Sequence, residues 1–292
     1  MARPQALRMR TSGKPSPCFD NPWRNEDGSE LTCQDTCPHR PPIPAKHGPI
    51  MTQDPSETKD ILNKMNPEFE ILRTLTVINP RQLQSRIGNE TLVVCGSPRG
   101  MTSLVAFSIY ELGYFIGHHL GAKNFEDQDF LGAIPPATWL PVSLTNRKKF
   151  VDLVADRNAS HTRWGFKLPR ASEHIPALRK HLRNPIFVVC ARNPMGIARS
   201  VQRREAQFDG TLRDLLTIGT RYIQAIELLS QDTETPSIIV NMDEASHIPA
   251  VFLQELSETL GLQGDLAAIK NRITGRGYKE GSPRDGVTFK NQ

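Results

Sequence analysis

The chain has 292 residues, of which 38% are hydrophobic, enough for one large domain or two small ones with a packed core. Its formal net charge of +5 suits an anionic ligand but is too small to indicate nucleic-acid binding. Because it lacks both an apolar run of roughly 18 residues and a signal-peptide region, the sequence predicts a cytoplasmic protein without a membrane span.

The first fifty residues differ from the rest. They hold nine of the 23 prolines and show no apolar periodicity, so we expect residues 1–50 to be a disordered extension. Residues 51–292 are predicted to form a single α/β domain. A small cluster in the extension has ligand types that zinc accepts, but its irregular spacing favours the absence of a metal site. The cluster consists of Cys18, Cys33, Cys37 and His39.

After a helix predicted at 56–62 and a short one starting at Pro80, residues 91–104 form the centre of the predicted fold. The run T-L-V-V-C at 91–95 is typical of a buried strand, and residues 96–100 predict a turn. Apolar residues then recur at helical spacing over 102–112. A strand, a glycine-containing turn and a helix N-terminus predict an anion site, because backbone N–H groups and the helix dipole both point at it.

The remainder of the chain alternates strands and helices. Residues 117–145 carry no long regular element, and such segments line the ligand crevice in open α/β sheets. Strands are predicted at 163–167, 186–190 and 237–240. Helices are predicted at 147–157, 175–182, 194 to about 206, 212–229 and 249–260. This alternation predicts a three-layer α/β fold, a mostly parallel sheet flanked by helices on both faces.

The loop after the first strand is not a Walker A motif, because it lacks the Lys that precedes the hydroxyl residue in that motif. It resembles the 5′-phosphosulfate loop of the sulfotransferases that use 3′-phosphoadenosine 5′-phosphosulfate (PAPS), which runs P-[RK]-x-G-[TS]-[ST]-L. The matching residues are Pro98, Arg99, Thr102, Ser103 and Leu104. Gly100 and Met101 depart from the family pattern, which usually has Ser or Thr and then Gly at these two positions.

Arg192 and Ser200 form the second candidate site. Arg192 follows the strand at 186–190, so it lies at the carboxyl edge of the sheet, where ligands bind in this architecture. Ser200 lies about 9 Å along the next helix, at about 1.5 Å per residue. An Arg at a strand end and a Ser eight positions later resemble the 3′-phosphate motif of the same family.

Two further stretches resemble a bacterial branch of the sulfotransferases. They are W-G-F-K-L-P-R at 164–170 and F-E-D at 125–127. With the two phosphate motifs they occur in family order and cover about residues 91–200. The resemblance implies a fold like that of the P-loop nucleotide hydrolases.

The resemblance also implies transfer of a sulfuryl group from PAPS to a hydroxyl or amine, releasing PAP. The donor-binding residues that it implies are Pro98, Arg99, Gly100, Met101, Thr102, Ser103, Arg192 and Ser200. In the family, a cationic side chain contacts the bridging or sulfuryl oxygens during transfer, and the resemblance implies that Arg99 occupies this position. Glu126 is our first candidate for the general base, with His118 and His119 as alternatives. Lys167 either lies near the sulfuryl group or holds the Glu126 segment by charge pairing.

No metal is expected, because fixed cations fill that role. Asp127 and Asp129 form a D-x-D sequence near the two histidines, but an ordinary solvated loop is the favoured interpretation. The expected partner is an acceptor, such as a carbohydrate, a glycolipid or another small molecule, and not a nucleic acid. The oligomeric state is left open. The alternative functions are a non-catalytic PAP-binding protein and a divergent P-loop nucleotide-binding protein.

The C-terminal residues 270–292 are strongly basic, with six Lys or Arg and two acidic residues. Arg276 and Gly277 resemble, in position, a basic loop that closes over the nucleotide in relatives. The favoured interpretation of this segment is a solvated tail.

Overall fold

The structure is a computed structural model that describes residues 66–136, 143–204, 210–275, 277–278 and 280–291. The chain divides between residues 53 and 54, and every described residue lies in the second part. The predictions for residues 1–50 and for a helix at 56–62 therefore lie outside the described residues, and the domain boundary stays a prediction.

The described strands are β1 Phe69–Ile71, β2 Leu75–Ile78, β3 Thr91–Gly96, β4 His119–Gly121, β5 Trp164–Lys167, β6 Pro185–Ala191, β7 Ser237–Asn241 and β8 Thr288–Lys290. The described α-helices are α1 Pro80–Arg86, α2 Thr102–Glu111, α3 Gln128–Ala133, α4 Lys148–Ser160, α5 Ile175–His181, α6 Pro194–Arg204, α7 Leu212–Leu229, α8 Met242–His247, α9 Pro249–Leu260 and α10 Leu266–Thr274. A 3₁₀ helix covers Pro169–Glu173.

Six of the described strands form the main sheet, in the order β1-β2-β7-β6-β3-β5. The four strands β7, β6, β3 and β5 are parallel, whereas β1 and β2 form an antiparallel edge. Every residue of β3 is buried, as expected for a strand covered on both faces. The predicted mostly parallel α/β sheet is therefore confirmed.

Helices cover both faces of the sheet. Leu92 and Val94 of β3 point into a core shared with α2, α9 and α10. Val93 and Cys95, on the opposite face of the same strand, belong to a second core shared with α4, α6 and α7. This alternation follows from the two-residue period of a strand and gives the predicted three layers.

Two parts of the fold differ from the expectation. The hairpin of β1 and β2 was not predicted, because all three residues of β1 are exposed and give no buried-strand pattern. The C-terminal segment 270–292 was expected to be a solvated tail, and many of its described residues are exposed, but it also forms regular structure attached to the domain. Ile273 of α10 is buried, and β8 pairs with β4. The many charges of this segment concealed its few apolar anchors, among them Phe289.

None of the described helices is both long and apolar enough to cross a membrane.

Candidate functional site

The turn between β3 and α2 requires glycine at both ends. A Cβ atom at Gly96 would lie 2.8 Å from the carbonyl oxygen of Cys190 on the adjacent strand β6. At Gly100 it would lie 2.7 Å from the carbonyl oxygen of Ser97, to which the Gly100 amide donates a 2.9 Å hydrogen bond. The loop is consequently tight and lies directly against the carboxyl edge of the sheet.

Arg99 and Met101 both adopt the left-handed backbone conformation, with φ of 64°. Met101 is the N-cap of α2, and among the described residues no side chain caps this helix. The Leu104 amide donates to the carbonyl oxygen of Met101 at 2.9 Å, whereas the N–H groups of Thr102 and Ser103 at the helix start are placed for an anion that also gains from the helix dipole. Met101 stands where the sulfotransferase pattern has Gly, and its positive φ explains why that position suits Gly. Thr102 is buried and Ser103 partly exposed at the mouth of this site.

Ser97 anchors the loop to α7. Its hydroxyl donates to the carbonyl oxygen of Gly219 at 3.3 Å and accepts from the Tyr222 amide at 3.2 Å. Gly219 in turn lies close to α6, since a Cβ there would be 3.0 Å from the carbonyl oxygen of Pro194. Ser97 was not predicted as a site residue, because a serine in a turn gives no signal of a contact 122 residues away.

Arg192 braces the same loop from β6. Its Nη1 donates to the carbonyl oxygen of Arg99 at 2.9 Å. Its Nε is buried and has no hydrogen-bond partner among the described residues, so one donor remains for an anion. A Cβ at Gly196 would lie 3.5 Å from that Nε, so the guanidinium lies across the first turn of α6. Ser200 follows Gly196 by four residues and therefore shares its face of the helix.

The start of α6 is fixed by two residues that sequence reasoning missed. Asn193 accepts from the Met195 amide at 2.9 Å through its side chain, and its own amide donates to the Asp243 carboxylate at 2.7 Å. Asp243 lies just after β7, in the same way that Arg192 lies just after β6. Its position after a buried strand could therefore have identified it as a site residue.

Lys167 and Glu126 form an ion pair at the carboxyl end of β5. Lys167 Nζ donates to Glu126 Oε1 at 2.8 Å, and the two side chains are 2% and 19% exposed. Burial lowers the pKa of Lys167, an effect that the Glu126 carboxylate opposes and the nearby Arg99 charge reinforces. Of the two roles expected for Lys167, the structure contains the charge pairing with Glu126.

The two histidines that were alternatives to Glu126 have other contacts. His118 Nδ1 donates to the carbonyl oxygen of Gly286 at 2.8 Å, since a carbonyl can only accept. Its ring lies 5.9 Å from that of His161, which precedes β5 and so lies at the opposite end of this strand from Lys167. His119 Nδ1 contacts the Asp129 carboxylate at 3.1 Å.

The D-x-D sequence pairs with an arginine of the chain itself. Arg157 Nη2 donates to Asp127 Oδ2 and to Asp129 Oδ2, both at 3.2 Å. Asp127 also caps α3, accepting from the amides of Asp129 and Phe130. Burial raises the pKa of Asp127 to about 6, although the Arg157 charge acts against this. Within the described part of the chain, no group of three or more His, Cys, Asp or Glu is arranged to hold a metal ion.

No protein-family model matches the sequence, and no curated protein matches it. Several solved structures are similar to the chain, among them the following two. The sulfotransferase domain of the olefin synthase of Synechococcus PCC 7002 has a TM-score of 0.45 and 15% identity, and the match covers 67% of this chain and 81% of that one. Mouse sulfotransferase SULT7A1 complexed with PAP has a TM-score of 0.44 and 11% identity, with 74% and 78% covered. Both structures are described as sulfotransferases.

Proposed function

We propose that the protein transfers a sulfuryl group from PAPS to a hydroxyl or amine of a carbohydrate, lipid or small-molecule acceptor. The observation that carries the proposal is the position of three basic residues on neighbouring parallel strands. Arg99 follows β3, Lys167 ends β5 and Arg192 follows β6. All three lie at the carboxyl edge of the sheet, beside a helix N-terminus without a side-chain cap among the described residues.

The loop would hold the 5′-phosphate of the donor. Within residues 99–103, the backbone N–H groups other than that of Gly100, which donates to Ser97, supply most of the contacts, as at other helix N-termini that bind phosphate. The hydroxyls of Thr102 and Ser103 add hydrogen bonds. Pro98, Gly100 and Met101 contribute the shape of the turn.

Arg192 and Ser200 would hold the 3′-phosphate. The guanidinium of Arg192 lies on the first turn of α6, and its buried Nε is unpaired among the described residues. A planar guanidinium suits phosphate oxygens, and an Arg–phosphate contact is stronger than one between neutral groups. Ser200 lies one helical turn beyond the Gly196 backbone over which the guanidinium extends.

In the transfer step, the acceptor oxygen or nitrogen forms a bond to sulfur while the bond from sulfur to the bridging oxygen of PAPS breaks. PAP leaves with the electron pair, and the acceptor proton passes to Glu126. Arg99 and Lys167 stabilise the charge that develops on the bridging and sulfuryl oxygens, as electrostatic catalysis requires. Lys167 also holds the Glu126 carboxylate in place through the 2.8 Å hydrogen bond to its Oε1 atom. The mechanism needs no metal, because these two cations already lie at the site.

The same proposal places the protein in the cytoplasm. The described cysteines Cys95 and Cys190 are buried free thiols, which suits a reducing compartment.

The test is a titration with PAP, 5′-AMP and Mg²⁺-ATP at one fixed salt concentration, followed by an acceptor panel with labelled PAPS. We expect PAP to bind at least about tenfold more tightly than 5′-AMP, because charged hydrogen bonds contribute about 1.5–3 kcal/mol each. Equal affinity for PAP and 5′-AMP would refute a PAPS site, and preferential binding of Mg²⁺-ATP would favour the P-loop alternative. Tight PAP binding without transfer to any acceptor would favour a non-catalytic PAP-binding protein.

A further inference from the structure

The described residues 280–290, here called the C-terminal strap, are fastened at one end to α2. The Glu111 carboxylate accepts from the Ser282 amide at 2.8 Å and from the Ser282 hydroxyl at 2.7 Å. Arg272 Nη1 donates to the same carboxylate at 2.9 Å, and the Tyr110 hydroxyl donates to the carbonyl oxygen of Ser282 at 2.6 Å. This end of the strap is therefore held by a paired polar cluster.

The middle of the strap has two more attachments. The guanidinium of Arg284 lies 4.1 Å from the centre of the Tyr110 ring and donates to the Tyr110 carbonyl oxygen. The imidazole of His118 donates to the carbonyl oxygen of Gly286. The contact of the Arg284 cation with the face of the Tyr110 ring stabilises the attachment of the strap to α2. The His118 contact attaches it next to the start of β4.

The last part of the strap pairs with β4, and β4 also holds the backbone of Glu126. The β8 strand runs parallel to β4, with Leu120 opposite Phe289, and the Ala122 amide donates to the carbonyl oxygen of Lys290 at 2.9 Å. The Gly121 amide donates to the carbonyl oxygen of Glu126, also at 2.9 Å. Consequently β4 lies between the strap and the segment that carries Glu126.

An aromatic contact reinforces this arrangement. Phe125 precedes Glu126, is fully buried and has a positive φ of 59°. Its ring lies 5.6 Å from that of Phe289 and 5.8 Å from that of Tyr110. A Cβ at Gly281 would lie 2.3 Å from Phe289 and 3.1 Å from Phe125, so only glycine lets the strap approach this closely. The left-handed turn at Phe125 sets the direction in which Glu126 leaves the backbone.

We infer that the strap is a positioning element, with Phe289 as its main contact, that holds the Glu126 carboxylate against Lys167. Loss of Phe289 leaves Phe125 without one of its ring partners and weakens the β8–β4 pairing, so the Glu126 segment loses its fixed geometry. The phosphate loop is held by other residues, Ser97 and Arg192, and keeps its shape. The catalytic part of this inference, that turnover depends on the strap, rests on the proposed function, whereas the effect on the ion pair does not.

The experiment measures the reactivity of Lys167 with N-hydroxysuccinimidyl acetate by mass spectrometry, in the full-length protein. We expect Phe289→Ala to increase the acetylation rate of buried Lys167 by at least about tenfold, as local opening becomes easier. Glu126→Ala should increase it similarly. The double variant should exceed neither single variant, because both substitutions break the same contact. The exposed Lys180 of α5, which belongs neither to the strap nor to the Glu126 segment, is the internal reference.

Two control variants separate positioning from general loss of stability. Leu229→Ala removes a buried side chain from the opposite core, and Asp285→Ala changes an exposed residue of the strap itself. We expect neither variant to raise the reactivity of Lys167, even where the melting temperature falls. Unchanged reactivity in Phe289→Ala, or an equal increase in Leu229→Ala, would overturn the inference.

PAP binding and sulfuryl transfer are then measured on the same variants. Phe289→Ala should keep PAP affinity within about twofold, because distant, independent sites act nearly additively, and should lose turnover. If Lys167 is more reactive in Phe289→Ala but neither the wild type nor any variant binds PAP, the strap's role stands and the proposed function is refuted. Higher reactivity with unchanged turnover would overturn the catalytic part of the inference.

Discussion

Arg192 donates a hydrogen bond from Nη1 to the carbonyl oxygen of Arg99 at 2.9 Å. This contact joins the two proposed phosphate sites, since Arg99 belongs to the loop after β3 and Arg192 follows β6. Arg99 has a positive φ, and the bond to its carbonyl stabilises that conformation. A change at Arg192 should therefore be felt at both ends of a bound nucleotide.

Arg192→Ala should weaken PAP binding by at least about tenfold, because a charged hydrogen bond to the 3′-phosphate is lost. Because the loop loses its brace, 5′-AMP binding should weaken as well, by a smaller factor. Ser200→Ala should weaken PAP binding alone. Titration calorimetry with both nucleotides measures these effects, with the exposed neighbour Arg199→Ala as control. An equal loss for both nucleotides in Arg192→Ala would restrict its role to the brace.

Glu126→Gln should leave PAP affinity unchanged and lower turnover about 10²–10⁴-fold, the usual range for a general base. The amide keeps an oxygen that accepts from Lys167 but cannot take the acceptor proton. Turnover with a saturating acceptor is the measurement, and His118→Gln is the matched control. Normal turnover in Glu126→Gln together with a large loss in His118→Gln would move the base to the histidine.

The left-handed φ of Met101 allows a direct test of backbone strain in the loop. Compared with Met101→Ala, the Met101→Gly variant should be more stable by about 1 kcal/mol, since glycine adopts this conformation without a Cβ clash. The comparison with alanine removes the effect of losing the methionine side chain. Chemical denaturation gives both free energies of unfolding. A less stable glycine variant would show that the φ at position 101 carries no strain.

Asp127 should make the free energy of unfolding depend on pH. Its pKa rises from 3.8 to about 6 in the fold, so the folded protein binds the extra proton between these values. Stability from this group is thus fully present below about pH 4 and is lost as the pH rises through about 6. The free energy of unfolding of the wild type, minus that of Asp127→Asn, should therefore decrease as the pH rises through this range. Asparagine is a suitable control because it also caps helices well. A difference that grows with pH would contradict the assigned direction.

Local sequence signals were sufficient for the centre of the fold. The apolar run at 91–95 and the turn that follows it predicted β3 and the start of α2, because buried parallel strands and glycine turns have distinctive compositions. The start of α6 at Pro194 was likewise predicted from proline's preference for the first helical turn.

Contacts between distant segments could not be predicted in this way. The bond from Ser97 to α7 and the contact of Phe289 with Phe125 join segments more than one hundred residues apart. The pairing of Lys167 with Glu126 was one of two expectations. It depends on a contact between distant segments, in which the Asp127 amide donates to the carbonyl oxygen of Lys167 at 3.2 Å. Such contacts depend on how the elements are arranged, which a periodic pattern along one segment does not encode.

The parallel pairing of β4 with β8 has a consequence for protein synthesis. His119 lies opposite Thr288, so β4 must wait for 169 further residues to be translated before its partner strand exists. Pairing between such distant segments is slow to form, because a long loop must close first. A nascent chain that has emerged as far as α8 contains both phosphate motifs, together with α7 and Asp243, which hold them, but lacks the strap. On the ribosome, nucleotide recognition should therefore precede the final placement of Glu126.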